Sequence, residues 1–125
     1  MNYVIDASAL LAVLQKETGY LIVIPLLMGA SMSTVNLSEV LQKIEQKGLK
    51  IPNLVGSLEG LGIKMVPFTI EQAELTAVLW NTTSSLGLSL GDRACLGLAK
   101  SLNATAITGD KNWTNVTDIK VQVIR

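Results

Sequence analysis

Tyr3-Val4-Ile5-Asp6-Ala7-Ser8-Ala9-Leu10 joins a short apolar run to an acid and then, without an intervening turn, to a helical pattern. The run reads as a buried strand, and the residues from Ala7 to about Glu17, which carry neither Gly nor Pro, read as a helix. A strand that feeds straight into a helix and ends on a carboxylate sets the terms for the rest of the chain.

The same alternation continues. Tyr20 to Gly29 reads as a second short helix entered through Gly19, with Pro25 tolerable in a first turn or at a kink, and Ser31 to Val35 as a second strand. From Asn36, the residues Leu37, Val40, Leu41 and Ile44 recur at helical spacing until Gly48. Ile51 to Glu59 is a further helix candidate, and Ile63 to Phe68 a third strand. Thr69 caps a helix carrying Ala73, Ala77 and Trp80, and Ser89 opens another that runs to about Leu102. Ala104 to Thr108 and Val121 to Ile124 complete the strands. Strands and helices that alternate without hairpin signals predict a parallel sheet covered by helices on both faces, in one domain over 1–125.

Composition narrows the chemistry. Ten basic residues balance ten acidic ones, so no global positive field holds a nucleic acid, and any polyanion must be bound locally. The chain has no histidine, which removes the usual neutral-pH base and the usual zinc or copper ligand. Cys95 is the only cysteine, expected to be a small core residue and compatible with a reducing cytoplasm. The apolar run Leu21 to Met28 is far shorter than a membrane span, and Asp6 interrupts the apolar stretch after Met1-Asn2-Tyr3 too early for a signal peptide. Nearly half the residues are apolar, enough to leave Leu, Ile and Val uncovered after one core is filled and to favour an oligomer or a partner.

Ligands in open parallel sheets bind beyond the carboxyl ends of the strands. Asp6 follows the first strand, Glu39 lies in the expected first turn after the second, Asp110 follows the fourth, and Asp92 starts a helix packing over the same edge. Each acid singly has a structural reading: Asn36-Leu37-Ser38-Glu39 and Ser89-Leu90-Gly91-Asp92 fit capping patterns, Asp6 fits a cap and Asp110 a turn. Jointly, carboxylates crowded at one edge repel one another unless a cation or shared protons compensate them. All-oxygen ligands without imidazole or thiolate select magnesium or manganese.

These residues resemble the PIN-domain ribonucleases, and among them the VapC-type toxins of bacterial toxin–antitoxin pairs. Val4-Ile5-Asp6-Ala7-Ser8-Ala9-Leu10 is similar to the family's opening motif, and Val35-Asn36-Leu37-Ser38-Glu39-Val40 to its second. Leu88-Ser89-Leu90-Gly91-Asp92-Arg93-Ala94-Cys95 resembles the third, and Thr108-Gly109-Asp110-Lys111-Asn112-Trp113 the last. The resemblance implies an α/β/α sandwich and a metal-dependent endoribonuclease. It makes Asp6 and Asp92 the expected direct metal ligands, Glu39 and Asp110 more distant or second-ion residues, and Ser8, Asn36 and Thr108 their hydrogen-bonding support. It also implies an RNA substrate, a homodimer and a small antitoxin. The unusually apolar Leu21 to Met28 and the closely spaced Gly56, Gly60 and Gly62 depart from the family pattern.

Without histidine, a cyclic-phosphate route through paired imidazoles is closed, and hydrolysis to a 5′-phosphate and a 3′-hydroxyl is expected. A dehalogenase-type phosphatase wants a second acid where Ser8 stands, a receiver domain wants a lysine for which Lys111 is a weak candidate, and no Gly-Lys-Ser/Thr phosphate loop occurs. A non-catalytic binding module on the same fold, or a housekeeping nuclease, are the alternatives. Lys43, Lys47, Arg93 and Lys111 are read as solvated surface before phosphate contacts, and Trp80 and Trp113 as packing anchors before base-stacking rings.

Overall fold

The structure, a computed structural model, describes residues 2–125; Met1, which belongs to the expected domain and to the stretch weighed as a signal peptide, lies outside them. Strands β1 (Tyr3–Ile5), β2 (Ser31–Ser33), β3 (Lys64–Val66), β4 (Thr105–Thr108) and β5 (Val121–Val123) form one sheet in the order β3-β2-β1-β4-β5. All four pairings are parallel, as expected, with Val4 opposite Ala106 and Ile5 opposite Ile107. Between the strands run α1 (Ala7–Gln15), α2 (Tyr20–Val23), α3 (Thr34–Gln46), α4 (Leu54–Gly60), α5 (Ile70–Val78), α6 (Trp80–Thr83) and α7 (Leu90–Ser101). Short 3₁₀ turns occupy Ile24–Leu26, Ser84–Leu86 and Lys111–Asn115.

Successive side chains on a strand face opposite ways. Ile5 and Ile107 therefore pack into one layer with Leu10, Val23, Val40 and Leu58 from α1 to α4. Val4 and Ala106 pack into the other, with Cys95, Leu96 and Leu98 of α7, Leu79 and Trp113. Two apolar layers on one sheet make the three-layer α/β/α sandwich. Truncating a side chain as buried as Leu10 to alanine costs about 2–5 kcal/mol, and such packing holds the strand ends in place. Among the described residues no single helix is long and apolar enough to cross a membrane.

Several boundaries differ from the sequence reading. β2 ends at Ser33, not Val35, because Ser33 Oγ accepts the Val35 N–H at 3.2 Å and caps α3 there. Glu39 thus stands in the second turn of that helix, and Asn36-Leu37-Ser38-Glu39 is no capping box. The helix expected over Tyr20 to Gly29 divides, with Pro25 at the start of a 3₁₀ turn where its missing N–H is harmless. The helix sought from Ile51 starts at Leu54, and the third strand is trimmed to Lys64–Val66. The helix capped by Thr69 stops at Val78, and Trp80 opens a separate short helix. Trp113 is a core anchor at 0% exposure, whereas Trp80 is 54% exposed and is not the anchor expected.

Topology fixes where a ligand can enter. The chain steps outward from β1 to β2 to β3, then returns through α5, α6 and α7 to place β4 on the other side of β1. Strand order reverses between β1 and β4, and the crevice beyond their carboxyl ends is the binding position of such sheets. Asp6 follows β1 and Asp110 follows β4.

Candidate active site

Asp6, Glu39, Asp92 and Asp110 line one hollow of about 260 Å³, together with Ser8, Leu11 and Lys43. All four acids predicted as site residues are thus brought to the same crevice. Each is also bonded locally: Asp6, Asp92 and Asp110 take part in capping, as their local patterns suggested, whereas Glu39 is held by Asn36 within α3 and caps nothing.

Asp6 is the most constrained. It caps α1 by accepting the Ala9 N–H at 2.8 Å, and it accepts from the Ser8 hydroxyl at 2.8 Å and the Thr108 hydroxyl at 2.5 Å. Those two hydroxyls have little choice of role. Ser8 Oγ accepts the Gly109 N–H at 2.8 Å and Thr108 Oγ1 accepts the Asp110 N–H at 3.0 Å, which leaves each hydroxyl proton for the carboxylate. Three donors occupy about three of the four lone-pair directions of a carboxylate and leave one for a ligand. Burial nevertheless dominates: with 4% exposure, Asp6 has its pKa pushed up to about 6 by desolvation, against these hydrogen bonds and with a small push from Asp92.

Asp92 sits at the third position of α7 and forms a capping box with Ser89, whose N–H it accepts at 2.9 Å. Its pKa is also raised, first by desolvation and then by the Asp110 charge, with the Ser89 bonds and Arg93 acting the other way. Asp110 caps the 3₁₀ turn after β4 through Oδ1, which accepts from Asn112 N–H at 2.9 Å. Cys95, wholly buried below, has its thiol pushed up by burial and by the charges of Asp6, Asp92 and Glu39, so the negative field of the cluster reaches into the core. It is the inert core residue expected.

Glu39 reaches the site because two helices touch. The Asn36 side-chain amide donates to Glu39 Oε1 at 2.8 Å and to the Gly91 carbonyl at 3.0 Å, tying α3 to the first turn of α7. A Cβ on Gly91 would stand 2.5 Å from the Glu39 carboxylate, so only glycine lets that carboxylate lie against α7. Gly91 is the residue the sequence reading passed over. A helix-disfavouring glycine immediately before a candidate acid was its available signal. Arg93, next to Asp92, lies 5.1 Å from the Trp80 ring and donates to the Leu88 carbonyl, away from the hollow.

A family model described as PIN domain matches residues 3–119. The chain belongs to the PIN-domain family. Members of this family are typically nucleases and generally use divalent metal ions. Solved structures agree in fold: VapBC2 from Rickettsia felis bound to a promoter DNA fragment matches with a TM-score of 0.72 at 13% identity, covering 100% of both chains. VapBC-1 from nontypeable Haemophilus influenzae gives 0.70 at 20% identity over 98% of each chain, and PAE2754 from Pyrobaculum aerophilum gives 0.62 at 16% over 97% and 89%. No curated protein matches the chain.

The donor set fits a hard divalent cation: every candidate ligand in the hollow is an oxygen, with no imidazole or thiolate, and two of the four carboxyls have a raised pKa. Among the described residues no three acids form a ready-made metal cage. The fit is to an ion that keeps most of its water and touches one or two carboxylates directly, as magnesium does.

Proposed function

We propose that this PIN domain, a single domain over 1–125, is a magnesium- or manganese-dependent endoribonuclease and the toxin of a toxin–antitoxin pair. The convergence of Asp6, Glu39, Asp92 and Asp110 on one hollow at the β1/β4 switch carries the reading. Asp6 and Asp92 would hold the ion directly, Glu39 and Asp110 would act at its periphery or on a second ion, and Ser8, Asn36 and Thr108 hold the acids in position. A cation bound there would supply polarisation of a phosphate oxygen and a lowered pKa for water at the site.

The chain's own groups do the rest. The Ser8 and Thr108 hydroxyls keep Asp6 an acceptor and fix its orientation. Asp110, engaged through Oδ1 alone, or the exposed Glu39 takes one proton from the attacking water and returns one to the departing 3′ oxygen. Attack in line with the 3′ oxygen leaves a 5′-phosphate and a 3′-hydroxyl.

An antitoxin partner and a homodimer belong to the same proposal. Structures similar to this chain are VapBC toxin–antitoxin complexes. Apolar side chains are also left uncovered, among them Leu21 at 69%, Met28 at 84% and Ile70 at 81% exposure. An antitoxin arginine in the acidic hollow would pair with its carboxylates and compete with the cation. The site of action is the cytoplasm.

The test is incubation of the purified chain with a pool of cellular RNA, with divalent ion or with chelator, followed by mapping of the ends. Metal-dependent cuts with 5′-phosphates support the reading, and cleavage persisting in excess chelator or cyclic-phosphate ends refute it. Growth arrest on expression, relieved by the coexpressed partner, supports the toxin role; unchanged growth with a demonstrably active enzyme makes it a housekeeping nuclease.

A further inference from the structure

A second hollow, of about 200 Å³, adjoins the acidic one, and the two share Ser8, Leu11 and Lys43. Their charges are opposite. Where the first gathers four carboxylates, the second is lined by Lys43, Lys47 and Arg125 against the single acid Glu17.

Each cation is placed by the fold. Lys43 lies in the last turn of α3 and Lys47 is its C-cap, four residues on, with its N–H bonded to the Lys43 carbonyl, so both side chains reach the same hollow. Arg125 follows β5 and comes back over Gly109, where a Cβ would stand 2.8 Å from its guanidinium. It donates to the Thr18 carbonyl at 3.3 Å and lies 3.8 Å from Glu17. Lys47 donates to Gln15 Oε1. The Lys43 ammonium, on the boundary between the hollows, forms no hydrogen bond or salt bridge among the described residues, although Glu39 precedes it by one turn.

We propose that this cationic groove is a phosphate subsite, holding the backbone of a single-stranded nucleic acid beside the carboxylate hollow with Lys43 shared between the two. The inference rests on the nuclease reading and adds to it where the strand lies. A chain with zero net charge has no long-range attraction for a polyanion, and four carboxylates repel one. Cations packed against the acidic hollow offset that repulsion locally. All three line one hollow of about 200 Å³, which matches one backbone and not the two of a duplex. Lys43, Lys47 and Arg125 are positioning residues: they hold the phosphates that flank the bond to be cut.

The experiment is fluorescence anisotropy of a labelled single-stranded RNA oligonucleotide, titrated with the full chain in chelator between about 50 and 200 mM salt. Lys43→Gln should lower the slope of log K against log salt by about 0.7, and Lys43→Gln with Lys47→Gln by about twice that. Lys43→Arg should keep the parent slope. Lys100→Gln with Lys120→Gln, in a different hollow at the amino ends of β4 and β5, should change nothing. In cleavage assays the groove variants should raise KM and retain kcat. A parent-like slope in the Lys43/Lys47 double variant, or an equal fall in the Lys100/Lys120 control, overturns the subsite. The predicted slopes in a chain that never cleaves would support the subsite and remove the nuclease reading alone.

Discussion

The Thr108 hydroxyl donates to Asp6 Oδ2 at 2.5 Å, joining the last residue of β4 to the first residue beyond β1. Because Thr108 Oγ1 also accepts the Asp110 N–H, one side chain orients two of the four acids. The sheet register, with Ile5 opposite Ile107, brings the two strand ends level and makes that bond possible.

Thr108→Val keeps the shape and removes the hydroxyl. It leaves a buried carboxylate oxygen and the Asp110 N–H each short of a partner, and should cost about 1–3 kcal/mol of stability. Since the Thr108 bond lowers the Asp6 pKa, that pKa should rise further. Urea unfolding and carboxyl titration by NMR check both effects; an unchanged Asp6 titration would count against the geometry.

The metal-free protein should lose stability as pH rises from about 4 to about 6. The sign follows from Asp6, whose folded pKa of about 6 exceeds its ordinary 3.8, so the native state binds more protons than the unfolded state within that window. The loss amounts to about 3 kcal/mol, and Asp92, also raised, adds in the same direction. Asp6→Asn should flatten the slope and make the metal-free protein more stable at neutral pH. Denaturant midpoints measured in chelator across the window test this, and a slope preserved in Asp6→Asn would refute it.

Gly91→Ala should improve the helix and damage the site. Alanine favours a helix interior by about 1 kcal/mol over glycine, yet its methyl would meet the Glu39 carboxylate at 2.5 Å and displace it. Activity should fall about 10²-fold with no loss of thermal stability. Full activity in this variant would show that the placement of Glu39 is unimportant.

Uncovered apolar residues such as Leu21, Met28 and Ile70 should be buried in a homodimer. Sedimentation at micromolar concentration should report twice the chain mass, and a monomer would contradict it.

Most of the site was legible because its acids obey local rules. Asp6, Asp92 and Asp110 stand where chain direction changes after a strand or at a helix start; Asp6 and Asp110 cap the elements they introduce, and Asp92 completes the capping box of Ser89. What sequence could not disclose is long-range. The pattern Asn36-Leu37-Ser38-Glu39 looked able to cap α3; Ser33 caps it three residues earlier, and the Asn36 amide instead reaches Glu39 and the Gly91 carbonyl, 55 residues away. Trp80 fitted the helical period of α5, but the chain breaks after Val78, and Leu79 and Thr83 take the buried positions in its place. Lys43 read as ordinary solvated surface until the fold placed it on the rim of the acids.

Binding of Mn²⁺ to the purified chain, followed by electron paramagnetic resonance for the parent and for Asp6→Asn and Asp92→Asn, tests the cation site most directly. The parent should bind the ion and gain thermal stability from it, while each variant should remain folded and lose at least about tenfold in affinity together with all metal-dependent cleavage. Parent-like affinity and cleavage in both variants would contradict the account.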